Sequence, residues 1–131
     1  MSDQSTLADI KKVENVLGFE LPRAYRELII RYGPQKPIVG TDCALADLIS
    51  NNQYLPNLLQ ENQVEHQLPK KLLCFLIHQG YIAAWLDAEN GDDPECWFFS
   101  EGTTPSPIQE ERVSVFFEKL IKDWGMNAPP R

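Results

Sequence analysis

The sequence predicts an α+β fold, an antiparallel central sheet packed by an N-terminal helix pair, a middle helix and a C-terminal helix. Two observations carry that prediction. Apolar residues recur at three- and four-residue spacing towards both ends of the chain, while strand-length apolar segments follow one another in its middle. Consecutive strands flanked by helices favour an antiparallel sheet over alternating βαβ units. At 131 residues a single domain spanning 1–131 is expected, with 127–131 as a loose tail. A chain of this size buries about two thirds of its unfolded surface and needs no metal or disulfide staple.

The elements follow in order. Leu7, Ile10, Val13 and Leu17 share one face of a first helix, and Gly18 suits its left-handed C-terminal cap. Pro22 fits the first position of a second helix, where a missing N–H costs nothing. Tyr25, Leu28, Ile29 and Tyr32 form its apolar stripe, and Gly33-Pro34 stops it. Leu21 is a poor N-cap, so its apolar docking is expected to fix the corner between the two helices.

Lys36 to Val39 can form a short edge strand, and Thr41 or Asp42 can cap a third helix through Leu45, Leu48, Ile49 and Leu55. Pro56 should break or kink that helix, because an interior proline removes a hydrogen bond and clashes with the preceding turn. Residues 60–68 read as a polar connector. Leu72 to Ile77 is an uninterrupted apolar run of strand length, so both of its faces are expected to be covered. His78-Gln79-Gly80 forms a hairpin turn into a strand from Tyr81 to Leu86, with the glycine supplying positive φ. The loop Asp87–Pro94 leads to a third strand, Glu95 to Phe99, and a short strand near Ile108 follows. Ser114 is the expected N-cap of the last helix, with Phe117, Leu120, Ile121 and Trp124 on its buried face and Gly125 beyond.

Several of these pieces recur together in a known family. Glu14, Leu17, Gly18, Leu21, Pro22, Tyr25 and Gly33 resemble the opening of the SUKH superfamily, the SMI/KNR-type domains. Its members begin with a helix, a glycine, a Leu-Pro pair, a second helix carrying an aromatic and a closing glycine. Asp93-Pro94-Glu95-Cys96-Trp97 resembles the family's Asp-Pro-x-apolar-Trp start of a strand, and Ser114 to Leu120 resembles its C-terminal helix start. The resemblance spans roughly the whole chain and implies the same α+β arrangement. It also implies a non-enzymatic, protein-binding domain: a bacterial immunity protein that neutralises a cognate toxin or, alternatively, a regulatory scaffold of the fungal cell-wall type.

Charge is unevenly placed. The net charge is −7, yet no Lys or Arg occurs between Lys71 and Arg112, where Asp87, Glu89, Asp92, Asp93, Glu95, Glu101, Glu110 and Glu111 stand. That stretch carries −8 and the remainder +1. Such a field repels nucleic acid and favours basic partners, and Asp87, Glu89, Asp92, Asp93, Glu95 and Glu101 are the candidate partner-binding residues. The alternative is that they only solvate loops around an apolar sheet. Of the aromatics, Trp97 and Phe99 share one strand face and Phe98 the other. Most are expected in the core; one left partly exposed beside the acidic loops would suit an interface anchor.

No catalytic signature accompanies these residues. The loop Asp87 to Asp93 fails the calcium-loop register, because placing Gly91 at the sixth position puts Leu86 at the first ligand position. Cys74 and His78 lie two pleat repeats apart on a strand, roughly 13 Å, beyond reach of a hydrogen bond. Cys43, Cys74 and Cys96 are odd in number and scattered, which predicts buried reduced thiols in the cytoplasm rather than a disulfide framework. No metal site and no cofactor are expected. A hydrolytic carboxylate pair or a small-ligand site remains the third reading, with nothing in the sequence that singles out its residues. The opening Met-Ser-Asp-Gln-Ser-Thr lacks the basic start and apolar core of a secretory signal, and no apolar run approaches a membrane span. The resemblance, together with the acidic charge, implies a protein partner, a basic toxin domain, with neither nucleic acid nor membrane.

Overall fold

The computed structural model describes residues 3–33, 41–103 and 106–124. Helices α1 (Asp3–Leu17) and α2 (Arg23–Tyr32) come first, and a single 3-10 turn (Leu45–Asp47) leads into α3 (Leu48–Glu61). Strands β1 (Leu72–His78), β2 (Ile82–Asp87), β3 (Glu95–Ser100) and β4 (Ile108–Arg112) precede α4 (Val113–Trp124). The four strands form one antiparallel meander in the order β1-β2-β3-β4, so the α+β arrangement read from the sequence is the one observed. The edge strand expected at Lys36–Val39, the side chain of Trp124, Gly125 and the tail 127–131 lie outside the described residues.

Both faces of the sheet are covered, and the pleat sorts the side chains between them. Leu73, Phe75, Ala84, Leu86 and Cys96 point to one core, where Ile10 and Val13 of α1, Tyr25, Leu28 and Ile29 of α2, and Phe116 and Phe117 of α4 meet them. Leu72, Cys74, Ile77, Ala83, Trp85 and Phe99 point to the other, against Leu55, Leu58 and Leu59 of α3. The alternation slips once. Cys74 pairs with Trp85 but Leu76 with Ala84, so Phe75 is an extra residue, and Phe75 and Leu76 both enter the first core. A bulge of this kind bends the strand and raises its local twist.

The helix corner forms as its residues dictate. Gly18 takes φ +86° and its N–H donates to the Glu14 carbonyl at 2.8 Å. Leu21 is docked with 2 % of its surface exposed, as the weak cap requires. Pro22 stands one residue earlier than expected, as the cap before α2 rather than its first residue, with φ −56° and ψ 145°. Leu7 shares the helical spacing of Ile10 and Val13 but is 48 % exposed, because the buried stripe of α1 runs through Thr6, 5 % exposed and four residues before Ile10.

Three further expectations need correction. Pro56 lies inside α3, which runs on to Glu61. The ring faces solvent, while Leu55, Leu58 and Leu59 bury against the sheet and hold the turns on either side. Neither Thr41 nor Asp42 caps that helix. Asp42 instead exchanges both backbone hydrogen bonds with Ile77, at 2.7 and 3.1 Å, and the Asp47 carboxylate accepts the Ala44 N–H at 3.0 Å. Ser114 is the second residue of α4 rather than its cap.

One edge of the sheet is closed by a side chain. Asn52 of α3 donates to the Leu72 carbonyl at 2.8 Å and accepts the Cys74 N–H at 2.7 Å, an amide standing in for a neighbouring strand. Across the other face, Glu118 of α4 accepts from Arg31 and from the Tyr32 hydroxyl and ties α4 to the end of α2.

Candidate functional site

The β2–β3 loop and the strand ends that flank it hold five of the six acidic candidates, and the first turn of the loop is built from short-range hydrogen bonds. Asp87 closes β2, and its carboxylate accepts the Glu89 N–H at 2.9 Å while its carbonyl accepts the Asn90 N–H at 3.1 Å. This is the turn that an aspartate favours when its side chain satisfies the backbone two residues on. Gly91 follows with φ +96°.

The next three residues serve two helices far away in sequence. The Asp92 carbonyl accepts the Ala24 N–H at 2.8 Å, at the start of α2. The Asp93 carboxylate accepts the Ser114 N–H at 3.0 Å and the Ser114 hydroxyl, and the Pro94 carbonyl accepts the Val113 N–H at 2.8 Å. Helix N-termini leave such donors without intrahelical partners, and a carboxylate there also meets the positive end of the helix dipole. Asp93 therefore does for α4 what Ser114 was expected to do.

The six acidic candidates are not one cluster. Asp87, Glu89, Asp92, Asp93 and Glu95 gather at one end of the sheet, whereas Glu101 follows the far end of β3, roughly 20 Å away at strand rise. Glu89, Asp92, Glu95 and Glu101 are exposed; Asp87 and Asp93 are half-buried. Glu95 accepts the Gln109 side-chain N–H at 2.8 Å. Towards the helix corner, a cleft of about 460 Å³ places Arg23, Arg26 and Lys71 opposite Glu89 and Asp92, so the negative field is offset on that flank.

The opposite flank is aromatic. Trp85 is fully buried and pairs across the strands with Trp97, which is half-buried. The His66 ring lies edge-on over both, its centroid 4.6 Å from that of Trp97 and 5.6 Å from that of Trp85. Desolvation in this setting holds the His66 imidazole below its ordinary range. A groove of about 330 Å³ is lined by the His66 and Trp97 rings with Leu68, Lys70, Asp87 and Asn90. His66 was missed in a stretch read as a polar connector. The signal was there: Val64, His66 and Leu68 alternate with Glu65 and Gln67, the period of an extended segment with one face down.

The profile of the SMI1 / KNR4 family (SUKH-1) matches residues 4–122. The chain belongs to that family. Neither a curated protein nor a solved structure matches it. The residues on which the sequence resemblance rests have physical roles here. Glu14, 7 % exposed, accepts the Leu21 N–H on its carboxylate at 2.8 Å and so caps the α2 corner from the preceding helix. Tyr25 is wholly buried, its ring centroid 6.0 Å from Phe75 and 6.1 Å from Phe117. Leu17 packs against the same core, Gly33 ends α2 with φ +87°, and Asp93-Pro94 is the cap of α4.

The cysteines offer no nucleophile to this surface. All three are buried, and burial pushes the Cys74 thiol up to about 12 and the Cys96 thiol upward as well, away from the reactive thiolate. Among the described residues, no three His, Cys, Asp or Glu side chains converge to hold a metal ion, and no helix is long and apolar enough to cross a membrane.

Proposed function

We propose that this chain is a single non-enzymatic binding domain, an immunity protein that masks a basic bacterial toxin through the acidic end of its sheet. Membership of the SMI1 / KNR4 family is the observation that carries the reading. The lopsided charge supports the choice of a basic partner, since opposite fields speed encounter and suppress wrong partners. Within the acidic set, Asp87, Glu89, Asp92 and Glu95 are the side chains offered to that partner. Asp93 is committed to α4, and Glu101 would take part only in a contact that spans the length of β3. A cytoplasmic location follows from this role, which requires the domain to meet the toxin inside the producing cell. The regulatory-scaffold role remains the alternative within the same family.

The test is co-expression with the product of the adjacent gene, followed by affinity capture and association kinetics. A 1:1 complex should form whose association slows several-fold as salt rises, because exposed charges are screened beyond about 10 Å at 0.1 M salt. Capture of the neighbour with a salt-independent rate would remove the acidic end from the interface. Protection of cells from the neighbour's toxicity separates the immunity role from the scaffold.

A further inference from the structure

We propose that the cleft between the helix corner and the β2–β3 loop is a carboxylate-binding subsite, which takes an acidic side chain flanked by a basic one on the protein partner; the inference rests on the partner reading above. The walls of this cleft are joined through the backbone. The Ala24 N–H donates to the Asp92 carbonyl at 2.8 Å, and the Ala88 N–H donates to the Lys71 carbonyl at 2.9 Å. The start of α2 and the residue before β1 are thereby tied to the same loop, with a space of about 460 Å³ between them. Such a site is formed before any partner arrives.

Charge is layered within it. Arg26 and Lys71 are half-buried, whereas Glu20, Glu89 and Asp92 are exposed. The Arg26 Nε–H is shut away from solvent without an acceptor. Among the described residues, neither Arg26 nor Lys71 stands in an ion pair, while Arg23 is engaged by Glu27 at 3.9 Å on the solvent side. A donor buried without an acceptor is costly, and more so on a charged group. The first turn of α2 adds to the same wall, since it carries no acidic side chain and Pro22 offers no side-chain cap to the positive end of the helix dipole.

A carboxylate supplies what this floor lacks. It accepts the Nε–H and a terminal N–H of one guanidinium side by side, and it meets the Lys71 ammonium as a point charge. A phosphate dianion suits the cleft less well, because the solvated carboxylates of Glu89 and Asp92 stand at the rim and repel the second charge. Those same carboxylates favour a cation beside the entering group. The matching occupant is a glutamate or aspartate next to a lysine or arginine, a pairing that a basic protein surface can present.

The probe is the peptide acetyl-Lys-Glu-Lys-amide, compared with acetyl-Lys-Gln-Lys-amide and with inorganic phosphate, and followed by NMR on the Arg26 Nε–H and the Gly91 amide. The glutamate peptide should shift both resonances saturably with a dissociation constant in the millimolar range, and the glutamine peptide and phosphate should bind about tenfold more weakly. Arg26→Gln, read on the Gly91 amide, should lose most of the glutamate-peptide binding. Lys71→Gln should weaken it several-fold and serves alone if Arg26→Gln unfolds. Equal binding of the two peptides, tighter binding of phosphate, signals that do not move, or full binding by a folded variant would each overturn the subsite. Peptide binding without capture of a basic protein would sink the partner reading and leave the subsite standing; capture without peptide binding would do the reverse.

Discussion

The two faces of the sheet are closed in different ways. One lies under α1, α2 and α4, with Tyr25, Phe75 and Phe117 packed ring to ring at its centre. Among the described residues the other has only α3 as a helical cover, and the extended segment carrying Val64, His66 and Leu68 shields what remains. The first face is closed by long-range helix packing fixed at the β2–β3 loop. The second leaves Trp97 half-covered, with Asp87 lining the same groove. A small domain that binds through its surface needs both, a face rigid enough to define the fold and a face that still has apolar area to offer a partner.

Core truncations should separate the faces most strongly. Phe75→Ala on the closed face should cost about 3–5 kcal/mol, the loss of a buried aromatic plus the cavity it leaves. Trp97→Ala on the open face should cost about 2 kcal/mol, roughly half the fully buried value, because the ring is already partly in water. Urea unfolding of the two variants is the measurement. Equal losses would mean that the second face is as closed as the first.

Helix capping from a distance is the next largest effect. Glu14→Ala should cost about 1–3 kcal/mol by stranding the buried Leu21 N–H, and Glu14→Gln should recover much of it because an acceptor oxygen returns. Asp93→Ala should cost about 1–2 kcal/mol through the lost cap of α4. If Glu14→Gln melts as early as Glu14→Ala, the hydrogen bond to Leu21 is not what that side chain contributes.

The His66 segment should show itself through pH. Its imidazole is held below the ordinary range by desolvation, so the folded state prefers it neutral. As pH falls through about 6.5, the unfolded chain takes up the proton first and stability declines towards the lower folded value; above about 6.5 this group contributes no pH dependence. Thermal melts between pH 7.5 and 5.5 should therefore lose part of their slope in His66→Gln. An unchanged slope would place the titration elsewhere.

How much of this could be read from the chain depends on how far apart the interacting residues are. The α1–α2 corner was legible, because Gly18, Leu21 and Pro22 act within a few residues of one another. The covered strand Leu72–Ile77 was legible from its unbroken apolar run, although the bulge at Phe75 was not, since register depends on the partner strand. The α4 cap was misread for the same physical reason. Ser114 has the right chemistry locally, but it donates its own N–H and hydroxyl to Asp93, 21 residues away. Pro56 misled because propensity is a local cost, and burial of Leu55, Leu58 and Leu59 outweighs it. The acidic candidates were identifiable as a charge pattern, yet only the fold divides them between loop, cap and the far end of β3.

The smallest effect is the one that tests that division. Asp92 and Asp93 are neighbours with the same side chain, and sequence cannot tell them apart. Asp92 serves α2 through its carbonyl, so its exposed carboxylate takes no part in the fold. Asp92→Asn, together with Glu89→Gln, should change stability by less than about 0.5 kcal/mol, as expected for exposed charges. Asp93→Asn keeps one acceptor for Ser114 but loses the charge at the helix terminus, which is worth about 0.3–1 kcal/mol. Thermal and urea unfolding should therefore rank Asp93→Asn below Asp92→Asn. The association rate with a basic partner should rank them the other way, because Asp92 faces solvent and Asp93 faces α4. If both variants fold and bind alike, the loop is a uniform patch of solvated charge, and the contrast between its capping half and its open half fails.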